Sequence, residues 1–202
     1  MKTEKDMPDL YILFEKSNST VGKLGRLFIP YPYTHVTISF DGEVYHSFSR
    51  RKLHDPFDAG LTEEKLAYFA YEEVEVKIYK TQITEEEKEK ILSFMEKIKD
   101  DPFDVMDMIT MPILHGHKNK NAYNCMSFVA EVLYLLNYPL PHELYKNNIE
   151  DIEKALINHG LKGEIVHLPK QTDEQYMKDV SIKDRFLSMI RLFRKLYGKR
   201  IV

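Results

Sequence analysis

The sequence has 202 residues, 43% of them hydrophobic and 30% charged, with a formal net charge of −3 at pH 7. These values predict a globular chain with one hydrophobic core and argue against a fibrous or disordered one. The weak charge gives no reason to expect a nucleic-acid partner. No stretch reaches the roughly 20 apolar residues that span a bilayer, and residues 1–6 do not resemble a signal peptide. A single cysteine cannot form an internal disulfide, so we expect a cytoplasmic protein.

The N-terminal part predicts a β-hairpin that carries two histidines. Residues 10–14 form a first β-prone run, and 20–28 have the apolar spacing of a short helix. Two further β-prone runs, 34–40 and 43–49, are joined by Asp41-Gly42, a strong signal for a two-residue type I′ turn. That turn pairs Thr37 with His46, so His35 and His46 are expected as diagonal neighbours about 7–8 Å apart on one sheet face.

The middle of the chain predicts further elements of a mixed α+β domain. Residues 50–60 have the composition of a loop and 65–71 that of a short helix, while the alternation over 73–79 predicts a strand. Thr84 and Glu87 form a capping-box signature for a helix with one apolar stripe. His115 and His117 follow in a loop. They are a weak metal pattern because no carboxylate or cysteine stands nearby, so we expect no metal and no cofactor.

The only cysteine lies at the start of a predicted buried helix. Asn124 is a suitable N-cap, and apolar residues follow at helical spacing as far as Leu136. Cys125 therefore falls in the first turn, where N–H groups and the helix dipole favour a thiolate. A lone cysteine on an apolar helix is more often packing, so a nucleophile requires a base. His35 is the candidate base and His46 the candidate orienting group; the alternative is that both are ordinary strand residues.

The C-terminal part divides the chain into a domain over 1–170 and an appended segment over 171–202. A helix over about 149–159 and a strand over about 163–167 complete the domain. The last predicted helix, 180–197, has one apolar stripe, and from Lys178 onward the chain has eight Lys and Arg against two Asp. The simpler expectation is that this helix packs on its own core. The alternative is peripheral contact with an anionic membrane surface or a partner. The stripe consists of Phe186, Met189, Ile190, Phe193, Leu196 and Tyr197.

Two stretches resemble one family. Residues 34–46 (THVTISFDGEVYH) are similar to the histidine hairpin of the circularly permuted, NlpC-type, papain-like cysteine hydrolases, and residues 124–129 (NCMSFV) are similar to their nucleophile helix. The resemblance spans about 10–168 and includes the YiiX-like bacterial proteins and the lecithin retinol acyltransferase-like enzymes. It implies an α+β fold whose small antiparallel sheet packs against the cysteine helix. By this resemblance Cys125 is the nucleophile, His35 the base and His46 the polar third residue, which is commonly an acid in the YiiX-like branch and a histidine in the other.

The resemblance implies acyl transfer through a thioester on Cys125. The expected substrate is an amide or an ester: a peptide, a cell-wall peptide or a lipid acyl group. The backbone N–H of Cys125 is a natural oxyanion donor. Two alternatives are a catalytically silent protein that uses the fold to bind a partner, and a metalloprotein built on His115 and His117. Further candidates for binding the oxyanion or the substrate are Tyr123, Tyr45, Tyr11 and Asn124.

Overall fold

The computed structural model describes residues 7–16, 31–70, 73–104 and 122–197. Six strands form one antiparallel sheet in the order β4-β3-β2-β1-β5-β6, so the predicted α+β class is confirmed. The strands are β1 (Asp9–Glu15), β2 (His35–Ser39), β3 (Val44–Lys52), β4 (Asp55–Lys65), β5 (Val74–Gln82) and β6 (Glu164–Leu168). The helices are α1 (Leu66–Phe69), α2 (Glu85–Ile98), α3 (Cys125–Leu135), α4 (Ile149–Asn158), α5 (Glu174–Met177) and α6 (Ile182–Tyr197), with a 3-10 turn at Leu144–Lys146. The helix predicted over 20–28 lies outside the described residues.

The two helix starts predicted from capping residues are confirmed. Thr84 Oγ1 accepts the backbone N–H of Glu87 at 3.1 Å, and the Glu87 carboxylate accepts the N–H of Thr84 at 2.7 Å. Asn124 Oδ1 accepts the N–H of Ser127 at 2.9 Å, and Ser127 Oγ accepts the N–H of Asn124 at 3.0 Å. Because both caps are reciprocal, each helix begins at a defined residue. The second cap makes Cys125 the first residue of α3.

The main core lies between the sheet and α3. This helix packs against β2 and β3, and its inward side chains Phe128, Val132 and Leu133 are fully buried. Every second residue of β1 joins the same core, namely Leu10, Ile12 and Phe14. Strand β2 contributes Val36 and Ile38. The packing fixes α3, and with it Cys125, relative to the strand that begins with His35.

The predicted hairpin register is wrong by one residue. Ile38 pairs with His46 and Ser39 with Tyr45, whereas the two-residue turn required Thr37 opposite His46. The Asp41 carboxylate accepts the N–H groups of Glu43 and Val44 at 2.8 and 2.9 Å, which stabilises a longer turn through Gly42. Gly42 takes a φ of 77° there. Because side chains alternate along a strand, the shift moves every β3 side chain to the other face.

Strand β4 occupies the region predicted as a loop over 50–60. In the sequence, Pro56 and Gly60 argue against a strand. However, β4 is an edge strand, where the missing N–H of a proline is tolerated. It pairs with β3 from Val44 opposite Lys65 to Lys52 opposite Asp55. The helix predicted over 65–71 is reduced to the single turn α1.

The C-terminal helix α6 packs against β4, and two of its residues enter the main core. Leu192 and Leu196 are 4% and 9% exposed. Ser181 Oγ accepts the N–H of Asp184 at 3.1 Å at the start of this helix. None of the described helices is long and apolar enough to cross a membrane.

We expect Leu133→Ala to destabilise the protein by about 2–5 kcal/mol, because it removes a fully buried side chain and leaves a cavity. The next residue provides the control. Tyr134 is 60% exposed, so Tyr134→Ala is expected to cost no more than about 0.5 kcal/mol. Urea unfolding of both variants measures the difference, and equal costs would contradict the packing of α3 described above.

Candidate active site

Cys125 is the first residue of α3, half-buried and in the free thiol state. The first backbone N–H groups of a helix have no acceptor within it, and they carry the positive end of the helix dipole. The Asn124 cap takes the N–H of Ser127, two residues beyond Cys125. An anion that forms beside Cys125 therefore meets backbone N–H donors at the start of α3.

His35 forms a close pair with an acid on the edge strand. Its Nε2 lies 3.0 and 3.1 Å from the two carboxylate oxygens of Glu64. The His35 side chain is 16% exposed and that of Glu64 is 5% exposed. Glu64 reaches this position because β4 pairs with β3, which sets Glu64 opposite Tyr45. The pair is thus held by two strands within the sheet.

The carboxylate determines which nitrogen of His35 carries the hydrogen. An ionised carboxylate only accepts hydrogen bonds, so Nε2, which faces Glu64, must be the donor. In the neutral imidazole the lone pair then resides on Nδ1, and Nδ1 is the atom that takes up a proton. This is the tautomer that a base needs when its partner acid lies on the Nε2 side.

Electrostatics in the site favour the charged form of His35. Burial by itself lowers its pKa, but the negative charge of Glu64 opposes burial and the hydrogen bonds to Cys125 and Glu64 add to this effect. The result is a His35 pKa well above its ordinary value. His35 therefore hydrogen-bonds to the Cys125 side chain as well as to the Glu64 carboxylate. The three residues form a series, Cys125–His35–Glu64.

His46 does not occupy the position that the predicted register assigned to it. It pairs with Ile38, and its ring lies against Phe40 with the centroids 6.3 Å apart. Burial lowers the pKa of His46, while the charges of Glu63 and Asp41 act in the opposite direction. The residue that contacts the His35 ring, where His46 was predicted, is Glu64.

The sequence reasoning missed Glu64 because it missed β4. The only sequence signal is the pair Glu63-Glu64 shortly before Leu66, in a stretch whose Pro56 and Gly60 suggest a loop. Once β4 is known to pair with β3, strand alternation sends Glu63 and Glu64 to opposite faces. Glu63 is exposed and Glu64 is 4% exposed, so Glu64 is the one of the two that faces inward.

The tyrosine candidates have separate environments. The Tyr123 ring packs against Phe48 and Phe94, with centroid distances of 5.3 and 5.8 Å, and burial raises its pKa to about 12. Tyr45 is 1% exposed in a second, smaller cluster. The Tyr11 hydroxyl lies 3.4 Å from a carboxylate oxygen of Asp9. Tyr123 is thus the candidate that shares packing with the core around α3.

Asn124, the remaining candidate, has its side-chain oxygen engaged in the helix cap. It is 1% exposed. This position is consistent with a structural task, since the cap defines where α3 begins. Asn124 thereby positions the Cys125 backbone N–H.

A tyrosine from the C-terminal segment also packs against β3. Tyr176 of α5 is 5% exposed, stacks on Tyr68 at 4.3 Å, and accepts a hydrogen bond from Arg50 Nε at 3.2 Å. Burial raises the Tyr176 pKa to about 12; Arg50 opposes this, and the charge of Glu64 adds to it. The sequence assigned Tyr176 to the appended segment over 171–202 and gave no signal for this contact.

Within the described ranges no group of three His, Cys, Asp or Glu side chains is arranged to hold a metal ion. His115 and His117 lie outside those ranges. Comparison with protein-family models, with curated proteins and with solved structures gave no match. The chemistry of the site must therefore be inferred from its own residues.

Replacing Glu64 by glutamine is expected to lower the pKa of His35, because it removes the nearby negative charge that opposes burial. His35 should then lose its proton at a lower pH than in the wild type. Titration of the imidazole by NMR measures this, with the His35 signal assigned from a His35→Gln spectrum.

The neighbouring exposed acid supplies the matched control. Glu63→Gln removes the same charge one residue away and should leave the His35 titration close to that of the wild type. An unchanged His35 pKa in Glu64→Gln, in protein whose circular dichroism is native, would contradict the assigned pair.

Proposed function

We propose that the protein is a cysteine hydrolase or acyltransferase that forms a thioester on Cys125. The observation that carries this proposal is the series of Cys125, His35 and Glu64, in which His35 hydrogen-bonds to both neighbours. A thiol nucleophile needs an imidazole to take its proton, and that imidazole needs a third group to orient it. The three residues provide one member for each of these tasks.

In the proposed resting state the Cys125 proton already lies on Nδ1 of His35, in keeping with the raised His35 pKa, and in the first half of the reaction the thiolate sulfur attacks an amide or ester carbonyl. The carbon–sulfur bond forms as the carbonyl π electrons move to oxygen. The oxyanion then collapses, the bond to the leaving amine or alcohol breaks, and His35 returns the proton to that group. Glu64 stabilises the imidazolium that exists before this proton transfer.

In the second half, water or another acceptor attacks the thioester. His35 takes the proton of the acceptor and keeps it as the thiolate of Cys125 leaves, which restores the resting state. In both halves the oxyanion forms next to the start of α3, and the proposed donor to it is the backbone N–H of Cys125 itself. Hydrolysis and transfer differ only in the acceptor, so one site serves either reaction.

The acid at the third position supports one branch of the resemblance over the other. The YiiX-like proteins commonly have an acid there and the acyltransferase-like enzymes a histidine. Glu64 lies against His35 whereas His46 pairs with Ile38, so we infer a site of the YiiX-like kind on a permuted papain-like fold. The order of the chain, with the histidine strand before the cysteine helix, supports the permuted fold, which both branches share. A peptide, a cell-wall peptide and a lipid acyl group are the substrate classes to test.

Iodoacetamide is expected to alkylate Cys125 near neutral pH at least about tenfold faster in the wild type than in His35→Ala, because the imidazole assists removal of the thiol proton. His46→Ala serves as the control and should react at close to the wild-type rate. Intact-mass spectrometry over time measures all three rates. Equal slow alkylation in the wild type and His35→Ala would instead favour a protein that binds a partner without turnover.

A small activated ester tests turnover itself. With p-nitrophenyl acetate we expect a burst of nitrophenolate and an acetyl group on Cys125, both absent in Cys125→Ala. Glu64→Gln should slow acylation by at least about tenfold because its imidazole is no longer held in the basic tautomer, while Glu63→Gln should not. An acylation rate unaffected by Glu64→Gln would remove Glu64 from the proposed mechanism.

A further inference from the structure

Helix α6 buries only part of its apolar surface. Leu192 and Leu196 enter the main core, but five large apolar side chains of the same helix are 38–85% exposed. At about 100° per residue, four of the five fall within an arc of about 60° on the helix circumference, and Leu187 lies outside it. The stripe predicted from the sequence is therefore split, with one edge packed on the domain and the other directed to solvent. The exposed members, here called the apolar arc, are Ile182, Phe186, Phe193 and Tyr197.

Basic side chains continue directly from the apolar arc around the helix. Lys183, Arg194 and Arg191 follow it in that angular order, and all three are exposed. The helix as a whole has five Lys and Arg residues against one Asp, in a chain whose net charge is −3. Basic residues are thus in excess over acidic ones beside the exposed apolar surface, although the chain as a whole is slightly acidic.

The rest of the domain holds α6 in a defined orientation. Leu192 and Leu196 are anchored in the core, and Lys195 Nζ donates to the backbone oxygen of Asp100 at 3.3 Å. A helix that is already formed and docked pays less ordering entropy when it binds a surface. The arc and its basic flank are therefore presented together, as parts of one pre-organised face.

We propose that this face of α6 binds an anionic lipid surface with the helix axis in the plane of the membrane. The apolar arc enters the boundary between headgroups and acyl chains, and Lys183, Arg191 and Arg194 contact the headgroups. Two phenylalanines and a tyrosine beside clustered cations are the composition of an interfacial helix. A groove on a partner protein would have to enclose the whole apolar side of α6. Here the domain itself already covers one edge of that side. This inference is independent of the proposed thiol chemistry.

The test is co-sedimentation of the full chain with phosphatidylcholine vesicles that contain or lack phosphatidylserine. We expect binding to the phosphatidylserine vesicles to be at least about tenfold tighter, and to weaken as salt is raised. Phe186→Ser with Phe193→Ser should reduce binding at least about tenfold, because both side chains leave the acyl boundary. Arg191→Glu with Arg194→Glu should abolish the preference for phosphatidylserine, since each basic residue contributes about fivefold.

A matched control tests whether any change to the surface has the same effect. Ile157 is 50% exposed on α4, and Lys162 is exposed just beyond it. Ile157→Ser with Lys162→Glu therefore replaces an exposed apolar residue and an exposed basic residue at a different place on the surface. This control should bind vesicles like the wild type. Because all the substituted side chains are exposed, every variant should keep the wild-type urea midpoint.

Two results would overturn the proposal. One is a wild type that does not sediment with phosphatidylserine vesicles, or that sediments equally well after both α6 double substitutions. The other is self-association, seen by light scattering without lipid and lost in the Phe186→Ser, Phe193→Ser variant, which would assign the arc to a second copy of the chain. Binding to vesicles with slow, His35-independent alkylation would support this inference while contradicting the proposed enzyme.

Discussion

The contact between His35 and Glu64 is the interaction on which the site depends. A buried pair of opposite charges gains attraction but costs desolvation, so it is weak evidence for stability by itself. A buried histidine can reduce this desolvation cost, because without an acidic partner it releases its proton and becomes neutral. Glu64 therefore raises the pKa of His35, and by linkage the same shift stabilises the folded protein as long as His35 is protonated. Under the proposed function, this shift also allows His35 to hold the proton of Cys125.

The hairpin shows how far local sequence signals determine the sheet. The strands at 10–14, 34–40 and 43–49 and the turn at Asp41-Gly42 could all be predicted, since each depends on neighbours in the chain. The register could not, because the Asp41 carboxylate bonds two backbone N–H groups and stabilises a longer turn. One residue of shift is a small change in the turn, yet it exchanged the faces of β3 and removed His46 from the predicted pair.

The helix starts could be predicted because every group that forms each cap is local in sequence. At Thr84 and Asn124 the capping side chain, its backbone partner and the following apolar run lie within a few residues of one another. Cys125 and His35 are about ninety residues apart, so residue types could only make them candidate partners, and the family resemblance was needed to favour that pairing. Glu64 had neither kind of signal. Its strand contains Pro56 and Gly60, and its burial is a consequence of pairing with β3 that no local pattern records.

The edge strand also links the candidate site to the C-terminal segment. An exposed edge invites pairing with another chain, and proteins commonly cover such an edge with a helix. Here α6 packs against β4, while Tyr176 of α5 stacks on Tyr68 just beyond the end of β4 and bonds to Arg50. The position of Glu64 thus depends on residues beyond 170, even though the sequence divides the chain there. The helix that presents the apolar arc is the same one that packs against β4, so a surface bound by α6 lies one element away from Glu64 of the candidate site.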